Sequence, residues 1–254
     1  MIKAVGVIPA RFASTRLMGK PLADIGGKPM IQHTYESAMK SKLLQEVVIA
    51  VDDEKVKQVC ESFGAKAVLT PKDIQTGSDR IAYVVKNHVS GDIIVNIQGD
   101  EPFIQGKMID QAIEPLLFDK SISVSTLAKR VETVDEMNDP SLPKVVFDYN
   151  NFALYFSRSP IPYVRDAKND MERITKASMF RHVGLYVYRK EALLKFNSLA
   201  PTDLEQIEKL EQLRMLENGF KIKIVETEYE SLSVDTPEDL NRARKYYDKI
   251  KNSA

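Results

Sequence analysis

The first half of the chain alternates short apolar runs with stretches whose apolar residues recur at helical spacing. AVGVIPA (4–10) reads as a buried strand. In PMIQHTYESAMKSKL (29–43), Met30, Ile31, Thr34, Ala38 and Met39 fall near one face of a helix. EVVIAV (46–51) predicts a second buried strand. DEKVKQVCESFG (53–64) predicts a helix stopped by Gly64, and KAVLT (66–70) a short strand. SDRIAYVVKNHV (78–89) is helical, with Ser78 or Asp79 placed to cap it. DIIVNIQGDEP (92–102) is an apolar strand that ends in a polar turn. Strands buried along their whole length, alternating with amphipathic helices, imply a mainly parallel sheet covered on both faces.

The pattern changes in the second half. SISVSTLAKRV (121–131), KVVFDYN (144–150), FALYFSR (152–158) and FRHVGLYVYRK (180–190) read as strands, and DAKNDMERITKAS (166–178) as a long polar connection. DLEQIEKLEQLRMLENG (203–219) predicts one long helix ending at Gly219, and FKIKIVETE (220–228) a strand. TPEDLNRARKYYDKIK (236–251) predicts a final helix with Thr236 as N-cap and Pro237 at its first position. A β-rich subdomain over roughly residues 120–190, set in a single domain 1–254, follows from this change.

Composition narrows the function. The 36 basic residues balance the 36 acidic ones, so the basic excess of a nucleic-acid binder is missing and any cation cluster is local. No apolar run approaches the roughly 20 residues that span a bilayer. The N-terminal apolar run is too short for a secretory signal. Cys60 is the single cysteine, which excludes an internal disulfide, and it falls in an amphipathic segment where a small core residue belongs. A cytoplasmic protein is expected.

In an open α/β sheet, ligands bind beyond the carboxyl ends of the strands. Three polar clusters stand there. The first strand runs into VIPARFASTRLMGKPL (7–22), which carries Arg11, Arg16 and Lys20 with Ser14 and Thr15. Such cations can meet several phosphate oxygens, although a solvated loop explains them as simply. The loop has neither the Walker spacing nor a G-x-G-x-x-G fingerprint. NIQGDEP (96–102) places Asp100 and Glu101 across one glycine from an apolar strand. A carboxylate there suits a hard cation such as Mg²⁺, or simply caps a turn. In SVDTPEDL (233–240) an ordinary helix start follows Asp235, itself at a strand's end.

The chain resembles the 3-deoxy-manno-octulosonate cytidylyltransferases, the CMP-Kdo synthetases, almost from end to end. The motifs that carry the resemblance are IPARFASTRLMGKPL, IGGKPMI, QTGSDR, VNIQGDEP, KVVFD, ALYFSRSPIP, FRHVGLYVYR, LEQLR and VDTPEDL. Met18 stands where that family usually has Pro, and Ser78-Asp79 where Thr-Glu is common. The resemblance implies a Rossmann-like three-layer α/β sandwich of the nucleotide-diphospho-sugar transferase type. It implies joining of the anomeric hydroxyl of Kdo to the α-phosphate of CTP, with release of pyrophosphate, for lipopolysaccharide biosynthesis.

The resemblance also distributes roles. Lys20, Asp100, Asp235 and Arg11 would serve catalysis, and Asp100 and Asp235 would bind Mg²⁺. Arg11, Arg16 and Lys20 would hold the triphosphate, and the backbone at Pro9 and Ala10 would meet the cytosine, with Thr76, Gly77, Arg80 and Gln98 nearby. Gln98, Arg158, Arg165, His182, Tyr186, Glu211 and Gln212 would bind the sugar. The β-rich region would contribute to sugar binding and to a homodimer interface. Rival readings are the same chemistry on 8-amino-Kdo or sialic acid, and a non-catalytic nucleotide-binding module.

Overall fold

The computed structural model describes residues 2–13, 16–74 and 76–251. Ser14 and Thr15 of the opening loop and Gln75 of QTGSDR lie outside them. The chain divides into two units: Met1–Asp110 with Glu230–Ala254, and Gln111–Tyr229. The second takes in the 120–190 stretch and continues well past it.

The first unit begins with β1 (Ala4–Ala10), a 3-10 turn (Lys20–Leu22), the two-residue strands β2 (Asp24–Ile25) and β3 (Lys28–Pro29), and α1 (Met30–Ala38). It continues through β4 (Glu46–Val51), α2 (Glu54–Ser62), β5 (Lys66–Leu69), α3 (Gly77–Asn87) and β6 (Ile93–Asn96). The unit boundary falls within α4 (Gly106–Phe118). In this unit the strands run β6-β1-β4-β5, all parallel. β6 is buried at every position and β1 at all but Pro9, which fits a sheet covered on both faces. The chain steps outward from β1 to β4 and β5, then returns past β1 to β6. With right-handed crossovers, that reversal places α3 on the opposite face from α1 and α2. The switch point therefore lies between the carboxyl ends of β1 and β6, where two of the polar clusters begin.

The second unit holds β7 (Val124–Arg130), α5 (Val134–Asn138), β8 (Lys144–Phe147), β9 (Ala153–Ser157), α6 (Asp170–Lys176) and β10 (Phe180–Arg189). Then follow α7 (Lys190–Asn197), α8 (Asp203–Glu208), α9 (Gln212–Glu217) and β11 (Ile222–Glu226). β10 runs antiparallel to β7 and β8, β8 antiparallel to β9, and β11 parallel to β7. The ladder of β10 on β7 shifts register between Val183 and Tyr186. Thr126 fills this bulge, its hydroxyl donating to the Leu185 carbonyl at 2.8 Å.

Two expectations change here. The polar connection 166–178 contains α6, capped by Asn169, whose side chain accepts from the Glu172 amide. The long helix expected over 203–219 is two short helices. Lys209 sits in the left-handed region (φ 53°) and ends α8, a break that no glycine or proline announces.

The chain returns to the first unit with α10 (Pro237–Lys251), whose Leu240 and Ala243 pack with Ile25, Met30 and Val234. No helix among the described residues is long and apolar enough to cross a membrane.

Candidate active site

Three loops of the first unit close on one cleft of about 340 Å³. Its wall includes Pro9, Ala10, Arg11, Arg16, Lys20, Gly77, Gln98, Gly99, Asp100 and Asp235. The opening loop is held at both ends. The Phe12 amide donates to Asp52 Oδ1 at 2.9 Å, and the Gly19 amide donates to the Phe12 carbonyl at 3.3 Å. Gly19 adopts φ 66°, a left-handed conformation suited to glycine, and starts the 3-10 turn that carries Lys20.

The turn after β6 is tied to α1, where Thr34 donates to the Gly99 carbonyl at 3.3 Å and Ser37 to the Pro102 carbonyl at 3.1 Å. Asp235 arrives from far along the chain, and the Val234 amide donates to the Asp100 carbonyl at 2.9 Å. Asp239 Oδ2 accepts from the amides of Asp235 (3.0 Å) and Thr236 (2.9 Å), while the Asp239 amide donates to Thr236 Oγ1 at 3.2 Å. This reciprocal cap fixes the backbone at Asp235 and leaves its carboxylate to the cleft.

Lys20 Nζ lies 2.8 Å from both Asp100 Oδ2 and Asp235 Oδ1, and Arg16 Nη2 lies 3.2 Å from Asp235 Oδ2. Burial works against the Lys20 charge, but Asp100, and after it Asp235, more than offsets this and lifts the lysine above its usual pKa. Two carboxylates converging on one cation are the hard oxygen donors that Mg²⁺ takes when phosphates complete its shell. Asp100 and Asp235 therefore fit such an ion as a pair. Among the described residues no cluster of three or more His, Cys, Asp or Glu offers a fuller cage.

The remaining nucleotide candidates divide. Gly77 opens α3 within the cleft wall, and an added Cβ there would stand 3.5 Å from Pro9 Cγ. Thr76 caps the same helix by accepting from the Asp79 amide at 3.0 Å. Arg80 does not line the cleft. Its side chain is fully buried, 3.2 Å from both Asp52 Oδ2 and the Ile74 carbonyl, and hydrogen-bonded to Thr70. Asp52, just past β4, thus joins Arg80 to the opening loop, and Arg11 Nε stands 3.9 Å from its Oδ2. The sequence reading passed over Asp52, although it too follows a buried strand. Cys60 is buried in α2, and burial, aided by Glu61, pushes its thiol up to about 12. His33 is likewise structural, its Nε2 2.7 Å from the Ile25 carbonyl.

The sugar candidates other than Gln98 belong to the second unit. His182 and Tyr186 flank the β10 bulge with ring centroids 5.2 Å apart. The Thr126 hydroxyl spends its hydrogen on Leu185, so its oxygen accepts from His182 Nε2 at 2.9 Å, which sets the imidazole tautomer. Burial pushes His182 down to about 3, so the ring is neutral at physiological pH. Burial, with Tyr188 and Glu211 adding to it, pushes the Tyr186 hydroxyl well above its usual value. The Tyr186 hydroxyl and Gln212 Nε2 are buried without a hydrogen-bond partner among the described residues. Glu211 directly precedes α9.

Arg158 is engaged by the end of α8. Its Nε donates to the Glu208 carbonyl at 2.6 Å, and its Nη atoms donate to the carbonyls of Pro140 (2.7 Å) and Lys209 (3.2 Å). The bonds to Glu208 and Lys209 satisfy carbonyls that the left-handed Lys209 leaves without helical partners. Arg165 is exposed in a turn.

A cytidylyltransferase family model matches residues 5–224. The chain is 51% identical over 245 residues to the 3-deoxy-manno-octulosonate cytidylyltransferase of Geotalea uraniireducens (strain Rf4), covering 95% of this chain and 97% of that one. To the enzyme of the same name from Geobacter sulfurreducens it is 50% identical over 240 residues, covering 93% and 96%. A solved CMP:2-keto-3-deoxy-manno-octonic acid synthetase complexed with CTP superposes with a TM-score of 0.91 at 42% identity, covering 98% of this chain and 99% of that one.

Proposed function

Because the chain belongs to the cytidylyltransferase family, among its 3-deoxy-manno-octulosonate cytidylyltransferases, we propose that it activates Kdo with CTP to give CMP-Kdo and pyrophosphate. One observation carries the reading: Lys20, Arg11, Arg16, Asp100 and Asp235 meet in one cleft at the switch point of a parallel sheet. A triphosphate brings about four negative charges, and the three cations and the first turn of α3 suit it.

The chemistry is a displacement at phosphorus. The anomeric hydroxyl oxygen of the sugar bonds to the α-phosphorus, the bond from that phosphorus to pyrophosphate breaks, and the hydroxyl proton leaves to solvent. Arg11 and Arg16 hold the outer phosphates. Lys20 meets the charge that grows on the departing pyrophosphate. Asp100 and Asp235 would hold Mg²⁺, which when bound neutralises the α-phosphate and acidifies the attacking hydroxyl.

The narrow wall of Pro9, Ala10 and Gly99 suits a pyrimidine. In the second unit, the buried Tyr186 hydroxyl and Gln212 amide are polar atoms suited to sugar hydroxyls, and the neutral His182 can act there only through hydrogen bonds. The sugar carboxylate then needs another cation, and the exposed Arg165 is our candidate. Service to lipopolysaccharide synthesis, a cytoplasmic setting and a homodimer belong to the same proposal and rest on the family resemblance. Pyrophosphate release from CTP that depends on Kdo tests it.

A further inference from the structure

The Asp100–Asp235 pair already has a cation in this structure. Lys20 Nζ is 2.8 Å from each carboxylate, and the Lys20 side chain is only 17% exposed. The guanidinium of Arg16 takes the other oxygen of Asp235 at 3.2 Å. Two negative and two positive groups make the cluster neutral. An ion held by the same two oxygens, Asp100 Oδ2 and Asp235 Oδ1, would lie about 2 Å from each, in the space that the ammonium holds. Two cations cannot share that space in a partly buried cleft without strong repulsion.

We infer that Lys20 is the resident counter-ion of Asp100 and Asp235 in the nucleotide-free enzyme, and that a divalent cation loads there only together with a triphosphate that draws Lys20 away. The incoming anion supplies the charge needed for the exchange. Its phosphates take the ammonium and Arg16, the two carboxylates are released, and the metal enters as they are vacated. Lys20 is thus a gate for the metal as well as a phosphate ligand. The resting enzyme is thereby kept from holding a divalent ion without its nucleotide. This inference rests on the functional reading above only in taking a nucleoside triphosphate as the anion.

Direct Mn²⁺ binding to the nucleotide-free protein, followed by electron paramagnetic resonance of the free ion, tests it without any turnover. The Lys20→Met protein should bind Mn²⁺ about 10- to 100-fold more tightly than the wild type, the equivalent of one charge-assisted hydrogen-bonding partner removed. Lys20→Arg, which keeps a cation, should show no such gain. Adding Asp100→Asn to Lys20→Met should abolish it. Wild-type protein that binds Mn²⁺ as tightly as Lys20→Met overturns the inference.

A second measurement needs no variant. The acylation rate of the Lys20 amine, mapped by mass spectrometry, should be unchanged by millimolar Mn²⁺ alone. A marked rise would mean that the metal expels Lys20 unaided, which contradicts the inference. Calorimetric CTP binding in the presence of Mg²⁺ separates the two proposals. Absence of that binding strikes the nucleotide reading, whereas the Mn²⁺ results on the nucleotide-free protein bear on Lys20 alone.

Discussion

Gly99 and Pro9 approach so closely that a Cβ on Gly99 would stand 2.5 Å from the Pro9 carbonyl oxygen. The contact joins the ends of β1 and β6 and sets the width of the cleft between the base wall and Asp100. Gly99→Ala should push these loops apart, destabilise the fold by about 1–3 kcal/mol and raise the Michaelis constant for CTP. Urea denaturation and initial rates check both. Wild-type values in both would show that the loops can give way without cost.

Asp100 and Asp235 are the pair proposed to hold Mg²⁺. Asp100→Asn and Asp235→Asn should each lower turnover by roughly 100-fold or more, while the protein stays folded by circular dichroism. Near-normal turnover in either would remove that residue from the reaction centre.

Asp52 supports the cleft without lining it. It is the anion facing the fully buried Arg80, and it receives the Phe12 amide of the opening loop. Asp52→Asn can still accept from Phe12 but leaves a buried guanidinium without its counter-charge. The expected loss is about 3 kcal/mol of stability, with weaker CTP binding because the loop bearing Arg11 loosens. Chemical denaturation that shows a loss below about 0.5 kcal/mol would mean that Thr70 and the Ile74 carbonyl hold Arg80 by themselves.

His182 gives a pH signature. Its folded pKa of about 3 lies below the unfolded value, so between roughly pH 6.5 and 3 the unfolded chain takes up a proton that the native state refuses. Stability from this site is complete above pH 6.5 and falls as the pH drops through that window. From pH 7 to pH 4.5 the wild type should lose roughly 3 kcal/mol more than His182→Gln, read from denaturation curves at each pH. Parallel curves for the two proteins would contradict a buried, neutral His182.

Arg165 should act on the sugar alone. Arg165→Ala is expected to raise the Michaelis constant for Kdo several-fold, the loss of one charged hydrogen-bonding partner, with that for CTP unchanged. An unaltered Kdo constant would take Arg165 out of the site.

Part of the cleft was legible because strands buried on both faces announce themselves as apolar runs, and polar residues directly behind them have few places to go. Arg11 and Asp100 stand in that way just behind β1 and β6, whereas Lys20 rides on a later turn and Asp235, expected at a strand's end, follows no strand and reaches the cleft through the cap of α10. Arg80, expected beside the cytosine, instead shares the buried face of α3 with Ile81, Val84 and Val85, where its charge meets Asp52. The break at Lys209 could not be read, because the apolar spacing continues through it. Arg158 depends on that break, since the carbonyls it binds are exposed by it. The tautomer and neutrality of His182 depend on a bulge, and alternation along a strand does not reveal one.

The most direct test of the account is pyrophosphate release with Mg²⁺, crossing CTP and UTP against Kdo, 8-amino-Kdo and sialic acid. The account predicts release with CTP and Kdo and none with UTP or sialic acid. Strong preference for the amino sugar would preserve the chemistry and replace the substrate. No release from any pair, despite tight CTP binding, would contradict the account and make the protein a nucleotide-binding module.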